Sequence, residues 1–383
     1  MAYIVGAYEH PTRKADGLSV LRLHADVAIG ALTDAGLSLR DVDAYFCAGD
    51  APGLGTATVA EYLGLRLTHI DATDCGGSAP IVHLSHAAQA IAAGRCKVAL
   101  ITLAGRPRAA GASLRLKPPD PDAPELAFEL PYGPMPANLY GMVARRHMHE
   151  FGTTSEQLAW INVAASHHAQ HNPRAVLPKV VTVEDVLQSP LVADPLHKLD
   201  CCVISDGGGA LVVTSAAIAK SIARPKVRLI GAGEAPKHGM GGQVDLTWSA
   251  ARWSGASAFA QAGVTPADIQ YASLYDSFTI TVLMQLEDLG FCEKGQGGRF
   301  VMDGNLISGI GKLPFNTDGG GLCNNHPANR GGITKIIEAV RQLRGEAHPK
   351  VQVPNCRLAL ASGIGGALGS RHTAATAILE RVA

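Results

Sequence analysis

The sequence predicts an α/β protein built from two similar halves. Three observations predict it: long-range internal echoes, strands that read as unbroken apolar runs, and a chain too long for one ordinary core. At 383 residues, two large domains are the default for a globular chain. Hydrophobic residues make up 47% and charged residues 17%, on the folded side of the boundary with disorder, and 43 glycines announce many tight turns.

The first echo pairs Ala35-Gly36-Leu37-Ser38-Leu39-Arg40-Asp41-Val42-Asp43 with Ala262-Gly263-Val264-Thr265-Pro266-Ala267-Asp268-Ile269-Gln270, a shift of 262 minus 35, or 227 residues. Each copy follows an alanine-rich helical stretch and leads into a strand, at 44–48 and 271–275. A second echo sets Thr73-Asp74-Cys75-Gly76-Gly77 beside Thr317-Asp318-Gly319-Gly320-Gly321, each ahead of a helix-period segment. A third sets Gly208-Gly209-Ala210-Leu211 beside Gly365-Gly366-Ala367-Leu368. The echoes keep one order, so halves at 1–222 and 223–383 are expected. Strands such as 97–103 have the continuous apolar character of a sheet covered on both faces. Residues 106–194 break the pattern. They hold a proline-rich loop at 117–124, a helix around 140–151 and another over 155–171, for which Thr154 and Ser155 are candidate caps. A helical insertion packed over the core is predicted there.

Composition removes several classes of function. Lys+Arg and Asp+Glu balance at 33 each, with no long run of one sign, so the basic footprint of a nucleic-acid binder is missing. The apolar runs, such as 98–104, fall far short of the roughly 20 residues that span a bilayer, and no membrane role is expected. Met1 to His10 shows no charged start with an apolar signal core, which makes a cytoplasmic location the plain expectation. Eight scattered cysteines with no Cys-x-x-Cys predict neither disulfides nor a zinc site. No Gly-x-Gly-x-x-Gly follows a first strand and no Gly-Lys-Ser/Thr is present, so nicotinamide and ATP are not expected.

Three turns between strand and helix carry reactive side chains. In Ile70 to Pro80, Cys75 would have a lowered pKa if it sat at a helix N-terminus, where free N–H groups and the dipole favour a thiolate; a buried structural thiol is the competing reading. In Asn316 to Pro327, His326 precedes a proline and so lies at an element boundary, placed to polarise a carbonyl or take a proton, although fifteen histidines compete for such a role. In Ser273 to Phe278, Tyr275 and Asp276 end an apolar strand, and neighbours in a strand point to opposite faces, so at most one of them meets a given pocket.

Taken with Pro131-Tyr132-Gly133-Pro134, the stretch Arg145 to Thr154 and Leu199-Asp200-Cys201-Cys202-Val203-Ile204-Ser205-Asp206-Gly207, these turns resemble the thiolase-like superfamily, most closely its sterol-carrier-protein and lipid-transfer branch, over almost the whole chain. The resemblance implies a five-layered αβαβα fold of two duplicated halves, usually dimeric, with no tightly bound cofactor and a coenzyme A thioester as substrate entering a tunnel toward four loops. Asn325-His326-Pro327 matches the family's Gly-His-Pro segment with asparagine for glycine. Tyr275-Asp276-Ser277-Phe278 matches its His-Asp-Cys-Phe segment with tyrosine first. Counting back from Ala87-Ala88-Gln89-Ala90-Ile91 puts Gly77 at the nucleophile position, and a two-residue loop insertion would bring Cys75 there instead. Ser362-Gly363-Ile364-Gly365-Gly366 lacks the family's second cysteine.

Three functions follow as alternatives. In the leading one, an acyltransferase, Cys75 takes an acyl group, His326 activates it, and the backbone near Cys75, Gly365 and Asn316 forms the oxyanion side. In the second, a retro-aldolase, Tyr275 replaces cysteine chemistry and the protein works beside a small partner with a zinc ribbon and an OB fold. In the third the chain is a non-catalytic acyl-coenzyme A or lipid-binding subunit.

Overall fold

The computed structural model describes residues 1–48, 51–111, 130–133, 135–237, 245–368 and 372–382. The proline-rich loop at 117–124 lies outside them. In chain order the strands are β1 (Ala2–Glu9), β2 (Ala44–Cys47), β3 (His69–Asp71), β4 (Val98–Gly105), β5 (Leu191–Ala193), β6 (Leu196–His197), β7 (Gly207–Ser215), β8 (Val227–Lys237), β9 (Tyr271–Leu274), β10 (Leu358–Gly365) and β11 (His372–Arg381). The helices are α1 (Val20–Ala35), α2 (Thr56–Tyr62), α3 (Ala79–Ala92), α4 (Pro136–Phe151), α5 (Ser155–Ala169), α6 (Val183–Gln188), α7 (Ala216–Ser221), α8 (Ala251–Ala262), α9 (Thr279–Asp288), α10 (Gly297–Phe300) and α11 (Gly331–Arg344).

The main sheet runs β3-β2-β4-β7-β1-β8-β11-β10-β9. Outward from the centre, each half repeats one pattern. β1 pairs antiparallel with β7 and β7 with β4, then β2 follows in parallel; β8 pairs antiparallel with β11 and β11 with β10, then β9 follows in parallel. The halves meet through a short antiparallel contact of Tyr3 with Arg228 and Ile4 with Val227. Helices α3 and α11 touch each other and strands of both halves, while α1 covers the first half from outside and α8 the second. The layers are therefore helix, sheet, helices, sheet, helix, as the resemblance implied. Every residue of β4 and β10 is buried, which is why these strands read as unbroken apolar runs.

The first two echoes mark equivalent places. After α1 the chain turns through Gly36 at φ 68° and after α8 through Gly263 at φ 67°, a left-handed conformation that glycine adopts without a Cβ penalty. Asp41 then accepts from the Ser38 N–H at 2.8 Å and Asp268 from the Thr265 N–H at 2.8 Å, ahead of β2 and β9. The second echo leads into α3 and α11, the paired central helices. The third echo is corrected. Gly208 lies inside β7, whereas Gly365 ends β10, whose counterpart by sheet position is β4 ending at Gly105. A four-residue string of small residues recurs by local chemistry without marking one position. Glycine also sets the helix-to-strand spacing alike in both halves: a Cβ on Gly6 of β1 would overlap the Ala31 carbonyl of α1, and one on Gly231 of β8 the Ala258 carbonyl of α8.

The predicted insertion contributes α4, α5, α6 and β5, which pairs with β6 just past its end. Thr154 caps α5, accepting the Gln157 N–H, and so fills the role assigned to either Thr154 or Ser155. His147 of α4 meets Glu287 of α9 at 3.0 Å with both side chains fully buried, fastening the insertion to the second half. No helix among the described residues is long and apolar enough to cross a membrane.

A buried ion network joins β1 to α11 and to the turn that bears His326. Glu9, 3% exposed, accepts from Arg13 at 2.8 Å, Asn325 at 3.0 Å and Arg341 at 3.1 Å. Burial opposes its charge, yet Arg341 and Arg13 hold its carboxyl at about 2, below the ordinary 4.5. A carboxyl depressed on folding adds stability above its unfolded pKa and loses it as pH falls through the folded one. We therefore expect Glu9→Gln to cost roughly 3 kcal/mol near neutral pH, as loss of one member of a buried pair does. The deficit should narrow between pH 4.5 and pH 2, as urea unfolding at several pH values would show.

Candidate active site

Tyr275, Gly77, His326 and the end of β10 converge where the two halves face one another. Tyr275 follows β9 and is fixed through its backbone. Its N–H donates to the Ser362 carbonyl at 3.0 Å, and its own carbonyl accepts from Gln285 at 2.7 Å and Thr281 at 3.2 Å, both on α9. The ring is 4% exposed and stands edge-on to the His326 imidazole, with centroids 5.3 Å apart and planes at 67°. The phenol donates to the Ala328 carbonyl at 3.2 Å. Burial pushes its pKa well above the ordinary 10, so the group is a protonated phenol at neutral pH, while Arg330 pulls weakly in the other direction.

Gly77 explains how that ring fits. A Cβ there would overlap the Ile364 carbonyl and stand 2.5 Å from Cε2 and Cζ of Tyr275. On the other side, Gly332 and Gly363 bring backbone against the Gly77 carbonyl so closely that neither tolerates a Cβ. The space a side chain would take at position 77 is held by the tyrosine ring.

Cys75 lies two residues earlier, ahead of a single 3-10 turn at Gly76–Ser78 that leads into α3. Its carbonyl accepts from Ser78 at 2.7 Å and Thr373 at 2.9 Å, and a Cβ on Gly365 would overlap it. The thiol pKa is raised, not lowered: burial outweighs the hydrogen bond from Ser78, and the nearby Asp74, Glu234 and Asp71 carboxylates oppose a thiolate further. The expected activation by a helix N-terminus is thus corrected.

His326 follows the five-residue turn Gly320–Asn324, a π-helical segment, and an extended Asn325. Its N–H donates to Ser205 Oγ at 2.9 Å, and Ser205 donates in turn to Asn325 at 2.6 Å. Burial lowers the imidazole pKa to about 4, so the ring is neutral at pH 7, and its Nε2 has no hydrogen-bond partner among the described residues. A neutral imidazole, with one basic ring nitrogen, thus stands beside a phenol that keeps its proton.

Tyr275 and Asp276 both lie just past β9, which ends at Leu274, so strand alternation does not sort them, and they make different contacts. Asp276 is fully buried, accepts from the Gly321 N–H at 2.8 Å and the Leu322 N–H at 3.2 Å, and pairs with Lys335 of α11 at 2.7 Å. It meets the turn below His326, not the Tyr275 ring. Asn316, at a left-handed φ of 39°, spends its amide on the Leu274 backbone, accepting from the N–H and donating to the carbonyl, each at 2.8 Å, while its N–H goes to Ala272. That consumption corrects its expected part in the oxyanion side. Gly365 ends β10 directly against the Cys75 turn. Lys335 was not singled out by the sequence reading. The available signal was one lysine among Ile333, Ile336 and Ile337 of a helix. Among the described residues no cluster of His, Cys, Asp and Glu is arranged to hold a metal ion.

The chain is 35% identical over 373 residues to an acetyl-CoA acetyltransferase of Methanothermobacter thermautotrophicus, covering 93% of both chains. The chain belongs to the thiolase family. The Thiolase C-terminal domain-like family matches residues 233–381 of this thiolase-family protein. It is also 37% identical to the 17-hydroxy-3-oxo-4-pregnene-20-carboxyl-CoA lyase of Mycobacterium tuberculosis, over 95% of this chain and 97% of that one. Among solved structures, the Ltp2-ChsH2(DUF35) aldolase superposes with a TM-score of 0.89 at 34% identity, covering 99% of this chain and 97% of that chain. The protein is an enzyme of the thiolase type, one that makes or breaks a carbon–carbon bond next to a thioester. Its relatives include both acetyltransferases and lyases.

Proposed function

We propose that this thiolase-family enzyme cleaves the carbon–carbon bond of a β-hydroxyacyl-coenzyme A by retro-aldol reaction, without an acyl-enzyme. The observation that carries the reading is that the Tyr275 ring fills the space at Gly77, where the family register puts the nucleophile. The two nearby groups are driven apart in pKa, which is how acid and base roles are divided in an active site. Neutral His326 takes the proton of the β-hydroxyl, the Cα–Cβ bond breaks to leave a ketone and a thioester enolate, and the Tyr275 phenol protonates the enolate at Cα. The imidazolium then returns its proton to the phenolate, and both groups are restored. Gly365 is the proposed backbone donor to the thioester oxygen, and Asp276 acts at one remove, through the turn it holds.

Acyl transfer through Cys75 is the second reading, favoured by a partly accessible thiol on the same turn as Gly77. Mass spectrometry separates the two. With β-hydroxyacyl-coenzyme A esters we expect a released ketone, a shortened acyl-coenzyme A and no adduct on Cys75, with Cys75→Ala retaining turnover. An acyl group on Cys75, together with an inactive Cys75→Ala, would sink the retro-aldol reading. We further propose that the halves divide at 222/223 and that the enzyme works as a cytoplasmic homodimer beside a zinc-ribbon and OB-fold partner. The two-component name of the Ltp2-ChsH2(DUF35) aldolase supports a partner, and the exposed Ile70 on edge strand β3 supports a paired edge.

A further inference from the structure

Lys335 is one of the largest fully buried side chains of the molecule, and no step proposed above uses it. It projects from α11, and its ammonium reaches Asp276 Oδ1 at 2.7 Å. The same carboxylate accepts the Gly321 and Leu322 N–H groups. A Cβ on Gly321 would stand 2.9 Å from His326 Cδ2 and 3.0 Å from Asp276 Oδ1, so carboxylate, turn and imidazole are packed in direct succession. We propose that Lys335 is a positioning residue for His326: by pairing with Asp276 it fixes the carboxylate that ties down the Gly321–Leu322 turn, and so sets the imidazole against the Tyr275 ring.

The reason is electrostatic. A buried carboxylate without a counter-charge draws in water to solvate it, and so ceases to be a full acceptor for two N–H groups. The pair also sets the charge that the imidazole feels. Asp276 favours protonation of His326, while Lys335 and Arg330 oppose it, leaving burial to keep the ring neutral; Tyr275 completes its surroundings as an uncharged phenol. Removing Lys335 alone leaves the Asp276 charge uncompensated and should raise the pKa of His326.

The inference rests on the reading that His326 acts in the reaction, so the experiment combines kinetics with a measurement that needs no turnover. The variants are Lys335→Met, Lys335→Arg and Asp276→Asn/Lys335→Met, with thermal melts to confirm folding. For each, kcat and KM for carbon–carbon cleavage are measured, and the His326 titration is followed by NMR of 15N-histidine-labelled protein, assigned with His326→Asn. Lys335→Met should lower kcat by about 10²-fold with KM little changed, the mark of a misplaced catalytic group. Its His326 titration should move to higher pH, and Lys335→Arg should recover most of both. The double variant removes both charges, so its titration should return toward the wild type while kcat stays low, because the Asn oxygen cannot replace a carboxylate on two N–H groups. A moved titration with unchanged kcat would keep Lys335 as the positioning residue and remove His326 from the chemistry. Loss of kcat with an unmoved titration in folded Lys335→Met would reduce Lys335 to packing and overturn the proposal. So would wild-type kcat in the double variant, even if Lys335→Met failed to fold.

Discussion

Tyr275→Phe should lower the rate of carbon–carbon cleavage by about 10²–10⁴-fold, the usual contribution of a positioned general acid. The substitution keeps the ring that packs on Gly77 and stands edge-on to His326, and removes only the hydroxyl. That hydroxyl donates a hydrogen bond of 3.2 Å to the Ala328 carbonyl, so the stability cost should be only about 1 kcal/mol, the net worth of a typical hydrogen bond. A large loss of kcat with a nearly unchanged melting temperature would therefore report chemistry. Ketone release and thermal unfolding measured on one preparation supply both numbers. Turnover within a few-fold of wild type would remove Tyr275 from the reaction and return attention to Cys75.

Gly77→Ala should damage stability and activity together. The added Cβ meets the Ile364 carbonyl, which belongs to the interior of β10, and the Tyr275 ring, which is itself wedged against His326. Backbone in a paired strand yields little, so the ring must shift. Overpacking of this kind costs roughly 1–3 kcal/mol. A misplacement of about 1 Å in a catalytic group can cost about 10² in rate. Urea unfolding and kcat measure the two effects. In a Tyr275→Ala background the stability cost of Gly77→Ala should shrink, because one of the two groups the Cβ meets is gone, and that coupling is what a double-mutant cycle reads. Gly77→Ala with unaltered unfolding and turnover would mean that the glycine and the ring do not compete for one space.

The halves were legible because local chemistry repeats where the fold repeats. Gly36 and Gly263 must both turn left-handed after their helices, and Ser38 with Asp41, like Thr265 with Asp268, must close the next turn before a strand. Such constraints act over a few residues and leave a readable trace. Gly208 and Gly365 show the limit: the same short string lies inside one strand in the first half and at the end of a different strand in the second. The candidate side chains were likewise legible by type but not by role. Cys75 was expected to gain acidity from a helix N-terminus, but its surroundings are set by β11, by Gly365 and by nearby carboxylates that are remote or unremarkable in sequence.

By itself, then, the sequence determined the α/β class, the duplicated halves, the insertion and the turns on which Tyr275, Asp276, His326 and Gly365 sit, because periodicity, capping and glycine conformation are encoded over short spans. Only the tertiary structure decided which of these groups meet. It filled the place at Gly77 with a ring from 198 positions later, paired Asp276 with Lys335, spent Asn316 on the Leu274 backbone, and set the protonation of Tyr275 and His326 through burial. Burial and the distance to a partner charge are properties of the assembled layers, and no window of neighbouring residues carries them.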